Sequence, residues 1–431
     1  MYERIEKLQH ELNSKDVITR LDSLRQLVEM INEGVIKKPV TGNDVNNHIH
    51  TTYSFSPYSP AKAVWMACNA GLATAGIMDH DSIGGGLEFI EAGRIAGIAT
   101  TIGVECRADF SATPLQGRRI NNPDQDSVAY VAIHGIPHNK IPMVRDFFAP
   151  FTEYRNKRNR KMVDRLNRVI RTSGIKLDFH KDIVPLSMYS FGGSITERHI
   201  LFGLSLKLIE KLGKGGELLG FLKDNLGLNI SDKQEKLLAD KDNPYYEYDF
   251  LGLLKSELVA AFYIDAGAEC PGIKEVISFT RQIGAVSAYA YLGDVGESVT
   301  GDKKAQKFED EYIELLFDTI KELGFNAVTY MPSRNSAAQL ERLRSLCRSY
   351  GFFQISGEDI NSPRQSFICE AMKGEAFSNL IDSTWALIGH EQEASRCIDA
   401  GMFSPSSLKK HPELEDRIKA FKEIGLRHMK K

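Results

Sequence analysis

The strongest constraint on this 431-residue chain is a strand–helix–strand unit between Asn46 and Asp81, in which the chemically active residues all fall at strand ends. The unit opens with NNHIHTTYS, where His48 and His50 are two positions apart. Extended backbone points residues i and i+2 to the same face, so both imidazoles can approach one metal ion. Ser59 and Pro60 then start the helix AKAVWMACNAG, with serine at its cap, proline at its first position and Gly71 at its end. The short apolar run Ala75–Met78 reads as a buried strand and delivers Asp79, His80 and Asp81 to the loop after it. In parallel α/β architectures such strand ends carry the chemistry.

The same alternation continues. GGGLEFIEAGRIAGI is a helix, and its three glycines mark a helix start rather than a phosphate-cradling loop. Ala99–Val104 is a strand ending at Glu105, which falls where Asp79 and His80 fall in the preceding unit. SVAYVAIHGIP alternates like a strand and brings His134, with His138 close behind. The stretch EYRNKRNRKMVDRLNRVIRTSGI is a basic helix with an apolar face at Met162, Val163, Leu166 and Ile170. Residues 194–265 are mostly helical. Three further helix–strand pairs follow, the second starting with a helix from Lys304, and the last strand ends in GEDIN, placing Asp359 and Asn361 two apart.

About seven to nine strand-like segments, most of them followed by a helix, predict a parallel sheet, either a barrel or doubly wound. Four separate strand ends supply metal-type side chains, and that convergence is what a barrel provides. The expected organisation is a helical N-terminal arm (1–38), a first barrel part (39–193), a helical insertion or cap (194–270), and a second barrel part with closing helices and a charged tail (271–431). The arm carries Ile5, Leu8 and Leu12, then Val17, Leu21, Leu24, Val28 and Ile31, at helical spacing. That stripe can pack on the main domain or on a second subunit, which would make a homo-oligomer.

A net charge of −3 argues against a protein that coats nucleic acid, although a local basic groove is compatible with it. The six cysteines form no CxxC pair and read as reduced thiols of a cytoplasmic protein. No signal-peptide pattern is visible, and no run approaches the roughly 18 apolar residues of a membrane span.

His, Glu and Asp ligate zinc, manganese or iron without help from cysteine. The residues suggest a first site at His48, His50, Glu105 and Asp359. His80 would hold an adjacent ion, Glu105 would bridge, and His199, in ITERHI, would complete a further site. Two ions a few ångströms apart can generate a hydroxide and stabilise both oxygens of an in-line phosphoryl displacement. Asp79 and Asp81 are expected to orient ligands, contact substrate or shuttle a proton. His134 and His138 read more simply as hydrogen-bonded structural residues. Arg158 and Arg198 are candidates for phosphate contacts, since arginine suits bidentate phosphate recognition; otherwise the basic helix is a solvated face. Cysteine-nucleophile and Ser-His-Asp readings find little support.

HIHTTYS, MDHDS, GVEC, ERHI and SGEDIN together resemble the polymerase-and-histidinol-phosphatase (PHP) domain family, from about residue 44 to about 365. The basic helix and the helical stretch after ERHI resemble its phosphoesterase branch. The resemblance implies a distorted (β/α)7 barrel, one to three Mn, Fe or Zn ions, and hydrolysis of phosphomonoesters or of nucleotide or oligonucleotide phosphodiesters. It implies His48, His50, His80, Glu105, His199 and Asp359 as ligands. The chain departs from the family pattern at four places. Phe55 replaces a carboxylate; Tyr130 stands where a histidine is expected, with His134 out of register; Tyr291 and Asn361 replace two more histidines. Two functions follow: a metal-dependent phosphoesterase, or a PHP-like domain that kept its fold and works as a binding or regulatory module.

Overall fold

Seven strands follow one another around a single sheet in chain order: β1 (Val45–Ile49), β2 (Thr74–His80), β3 (Ala99–Asp109), β4 (Val128–His134), β5 (Val286–Ala290), β6 (Ala327–Tyr330) and β7 (Phe353–Ser356). The structure is a computed structural model that describes residues 1–295 and 306–428. The sheet curls until its edges meet. The His50 N–H donates to the Ile360 carbonyl at 2.9 Å, and the Ile360 N–H donates to the His48 carbonyl at 3.1 Å. Gly357 makes this seam possible, because a Cβ there would lie 2.7 Å from the His48 nitrogen and its Cβ.

The alternation predicted a parallel sheet, and the sheet departs from that at one strand. β4 runs antiparallel to both β3 and β5. A parallel neighbour needs a crossover, usually a helix, between the strands. Residues 110–127 contain none; they fold back on themselves, with the Ser127 N–H donating to Arg118 and the Phe110 N–H donating to Ser127. The remaining strand pairs are parallel.

Alternation along the strands divides the core. Ala75, Ile77, Val104, Val131, Tyr289 and Val328 face outward into the helical layer. Met78, Ala132, Val286, Ala288, Ala327 and Phe353 face the other way, onto Ala386 and Leu387 of the helix Ser378–Arg396 and Phe421 of the helix Leu414–His428. These closing helices stop one end of the barrel, leaving the other for a cleft. The helix Pro60–Ala70 forms as its sequence predicts. Ser59 accepts from the Lys62 N–H, and Gly71 ends the helix at φ 85°, where an added Cβ would meet the Val40 carbonyl at 2.6 Å.

The N-terminal helices Tyr2–Glu11 and Val17–Asn32 pack on the barrel's own outer core through Leu8, Leu12, Leu24, Leu27 and Met30. Buried Arg20 meets buried Glu88, with its Nε 2.8 Å from Oε1. The apolar stripe thus serves the main domain. Between β4 and β5 lie the long helix Ile141–Val169 and the helices Glu197–Leu212, Gly216–Asp224, Asp232–Ala239 and Tyr246–Phe262. They enclose a second core of Leu204, Leu208, Leu218, Phe250 and Leu254. That core also takes Met162 and Leu166 from the long helix, so the cap's packing begins ahead of residue 194. Lys304 and Ala305, the first residues of the helix read from Lys304, and residues 429–431 of the charged tail lie outside the described residues. The helix itself starts at Ile313, after a 3₁₀ turn at Asp310–Tyr312.

Candidate metal centre

The open end of the barrel gathers side chains from the ends of β1 and β2, from Glu105 within β3, which continues to Asp109, and from one residue just beyond β7. The pairing of β1 with β2 shifts register between Asn46 and Ile49, and the Asn46 side chain accepts the His48 N–H at 2.9 Å. Such a bulge re-aims the side chains around it. His80 and Glu105 are direct register partners on β2 and β3. Around one carboxylate oxygen, Glu105 Oε2, lie His80 Nδ1 at 3.1 Å, His48 Nε2 at 3.7 Å and His50 Nε2 at 3.9 Å. Asp359 Oδ1 is 3.2 Å from His50 Nε2. Four donors placed tetrahedrally at zinc-like bond lengths would be about 3.4 Å apart. The observed spacings bracket that value, so the donors fit a divalent ion. Among the described residues, two groups have the closeness a metal needs: His48, His50 and Asp359, and His50, His80 and Glu105.

The electrostatics agree. Burial would raise the Glu105 carboxyl, but the close approach and charge of His48 and His80 outweigh it and hold Glu105 well below the usual carboxylate range. Burial would lower His48, and Glu105 reverses this and raises it. Burial and the neighbouring His80 keep His50 below its ordinary value. Asp359 is held low by the hydrogen bond and charge of His50 against the opposing effect of burial.

Contacts behind the cluster fix its orientation. Asp79 accepts from the Thr51 N–H, the Thr51 hydroxyl and the Ser54 hydroxyl, each at 2.6 Å. Because the Ser54 proton goes to Asp79, its oxygen is left to accept from His50 Nδ1, 3.3 Å away. The lone pair of His50 is then on Nε2, toward Asp359 and Glu105. Asp79 therefore stands behind the cluster rather than in it. Asp81 pairs with Arg155 at 2.6 Å.

Several expected residues are placed elsewhere. His199 is a capping-box residue: its Nδ1 accepts the Thr196 N–H at 3.0 Å, and its ring packs edge-on against Phe55. An imidazole accepting on Nδ1 carries its proton on Nε2, so His199 has no lone pair left for a metal and belongs to neither donor group. His134 is buried near the closed end, two residues beyond the position facing Glu105. Its Nε2 has no partner among the described residues, burial pushes it down to about 3, and it too is in neither group. His138 pairs with Glu391 at 2.8 Å. Arg158 is committed to Glu197, Glu269 and the Ile264 carbonyl, which leaves it poorly placed for phosphate. Arg198 does reach the cleft, donating to the Asn361 side chain at 2.8 Å. The cleft arginines missed in the sequence include Arg107 and Arg155. Each carried a signal: Arg107 is two residues beyond Glu105 on the same strand face, and Arg155 is one helical turn before Arg158.

The centre forms the floor of a cleft of about 740 Å³ between the barrel and the cap, bounded on the cap side by Arg198, Leu201, Val259 and Tyr263. That size suits a small-molecule site. No protein-family model and no curated protein sequence matches this chain. Among solved structures it is similar to a candidate metal-dependent phosphoesterase from Bifidobacterium adolescentis, at 18% identity and a TM-score of 0.47, over 78% of this chain and 96% of that one. It is also similar to an amidohydrolase from Chromobacterium violaceum solved with bound sulfate and no metal, at 15% identity and a TM-score of 0.48, over 76% of this chain and 90% of that one. No helix among the described residues is long and apolar enough to cross a membrane.

Proposed function

We propose that this chain is a metal-dependent hydrolase of phosphate esters. The observation that carries the reading is the convergence of His48, His50, His80, Glu105 and Asp359 at donor distances on the floor of an arginine-bearing cleft. A divalent ion bound there supplies Lewis acidity toward a phosphoryl oxygen and acidifies a water molecule. The chain's own side chains do the rest. His50 is held in one tautomer by Ser54 and Asp79, and Glu105 is kept ionised by two imidazoles. Arg198, half-buried at the cleft wall, gives one N–H to a neutral amide and has further donors suited to phosphate oxygens. The resemblance to PHP domains favours phosphomonoesters or nucleotide phosphodiesters as substrates.

The second reading, a binding or regulatory module without turnover, is favoured by Tyr291 and Asn361, whose polar atoms are engaged by protein neighbours. Hydrolysis of nucleotide and aryl phosphates with added manganese tests the two. Turnover that falls about a thousandfold or more in Glu105→Ala, a loss of several kcal/mol of stabilisation, supports the hydrolase. Manganese-loaded protein inert toward every ester supports the module.

A further inference from the structure

We propose that the centre holds one firmly bound ion, gripped by His48, His50, Glu105 and Asp359, while His80 supports Glu105 by a hydrogen bond instead of recruiting a second ion. This rests on reading the cluster as a metal centre and adds how many ions it keeps.

The argument begins with His50. Both donor groups found among the described residues contain it. Its Nδ1 faces Ser54, so it offers one lone pair, on Nε2, and one lone pair serves one ion. The two groups therefore compete for that lone pair, and an ion that takes it leaves the other group short of a ligand. Once His48, His50, Glu105 and Asp359 are assigned to that ion, His80 is the donor left over. Its Nδ1 lies 3.1 Å from Glu105 Oε2, the same oxygen that faces His48 and His50. That is a hydrogen-bond distance, and metal-binding carboxylates are commonly held by such bonds. Among the described residues, a second ion would have His80 and one remaining Glu105 oxygen, fewer protein ligands than the three a catalytic site usually has.

The groups that would make up the shortfall are engaged elsewhere. The His199 lone pair accepts the Thr196 N–H. The Tyr291 hydroxyl donates to Asp310 Oδ1 at 2.5 Å. Phe55 offers no donor atom. Asn361 is oriented by its neighbours: a guanidinium only donates and a carboxylate only accepts, so the amide oxygen faces Arg198 and the amide nitrogen faces Asp359 Oδ1, 2.6 Å away. An amide N–H aimed at Asp359 positions that carboxylate and is no ligand itself. Arg198, Asn361 and Asp359 thus form a chain from the cap to the ion's ligand.

The test is to load metal-free protein with manganese, desalt it, and measure metal per chain by mass spectrometry, with electron paramagnetic resonance on the same sample. The expected result is about one manganese per chain and the resolved hyperfine pattern of isolated Mn(II). Two or three per chain with an exchange-coupled signal overturns the proposal. His80→Ala should retain about one ion, while His48→Ala and Asp359→Ala, checked for folding by circular dichroism, should lose it. Loss in His80→Ala with retention in Asp359→Ala also overturns it. One ion with no turnover on any ester supports this proposal while removing the hydrolase reading, and no ion at all removes both.

Discussion

Where β1 and β2 end beside Glu105 of β3, three imidazoles and a carboxylate face one another across 3.1 to 3.9 Å with few protein partners of their own. Where β4 begins and β5 ends, the corresponding groups are Tyr130 and Tyr291, and polar atoms there are tied into the surrounding loops. The Tyr291 hydroxyl donates to Asp310, whose other oxygen accepts from the Asp294 N–H and the Gln339 amide at 3.0 and 2.7 Å. Glu309, next in the chain, accepts from the Tyr289 hydroxyl and the Leu292 N–H at 3.1 and 2.8 Å. Buried polar groups normally find partners inside the protein. One half of the mouth has done so at most of its polar atoms, Glu309 Oε2 being an exception among the described residues, and the other has gathered lone pairs that an added cation would satisfy. The same strand-end geometry thus serves a ligand on one side and the fold on the other.

The largest expected effect separates the two halves directly. His48→Ala should weaken manganese binding by about a thousandfold, more than the 10–100-fold typical of losing a supporting contact. Tyr291→Phe should leave affinity within about twofold and lower stability by about 1 kcal/mol, the worth of one hydrogen bond. Competition with a chelating dye reads both affinities. A tenfold or larger loss in Tyr291→Phe would break the comparison, because the tyrosine half would then be part of the centre.

The second prediction concerns the half that satisfies itself. Burial pushes the Glu309 carboxyl up to about 7, against partial opposition from backbone N–H groups. The folded protein therefore holds this proton more tightly than the unfolded chain. Its stability contribution is complete below the ordinary glutamate range, declines as pH rises, and is lost by the time pH passes about 7. Between pH 5 and 8 the decline should be about 2–3 kcal/mol. Glu309→Gln keeps an acceptor for Tyr289 and Leu292 but has no proton to lose. Thermal melts across that range should show a flatter slope for the variant and higher stability than the parent at pH 8. Parallel slopes would mean that Glu309 is ionised in the folded protein and that this half is less dry than its burial indicates.

The sequence exposes the donor-rich half because strand geometry has a period of two and its donors sit at strand ends. His48 and His50, then Asp359 and Asn361, are each two apart, and His80 closes β2 beside Glu105, although β3 runs on to Asp109 where the sequence pattern ended it at Glu105. All seven strands were legible, β2 by its apolar run and β4 by its alternation. The direction of β4 was not, since a strand's own pattern does not record which way its neighbour runs; the missing helix in residues 110–127 was the available clue. His199 shows a different limit. It stands three residues after Thr196, the spacing of a capping box, and that local use of its nitrogen competes with any distant metal. Both Arg155 and Arg158 reach Glu269, and what separates them is the other partner, Asp81 for Arg155 and Glu197 for Arg158; those partners come from elements far apart in the chain.

The smallest effect tests how the donor-rich half keeps its lone pairs pointed inward. Ser54 is fully buried, passes its proton to Asp79 and receives one from His50 Nδ1. Ser54→Ala removes that acceptor without touching a ligand atom. The His50 ring can then place its proton on either nitrogen, and the population with an open Nε2 falls. Manganese affinity should drop 10–100-fold with the number of ions per chain unchanged, as expected for a contact that orients a ligand. Asp79 also loses one of its three donors, so a melt should show a separate cost of about 1–2 kcal/mol. Unchanged affinity would show that the Glu105 and Asp359 carboxylates alone set the His50 tautomer. The contrast between the two halves would then rest on the donors themselves, with no contribution from the scaffold behind them.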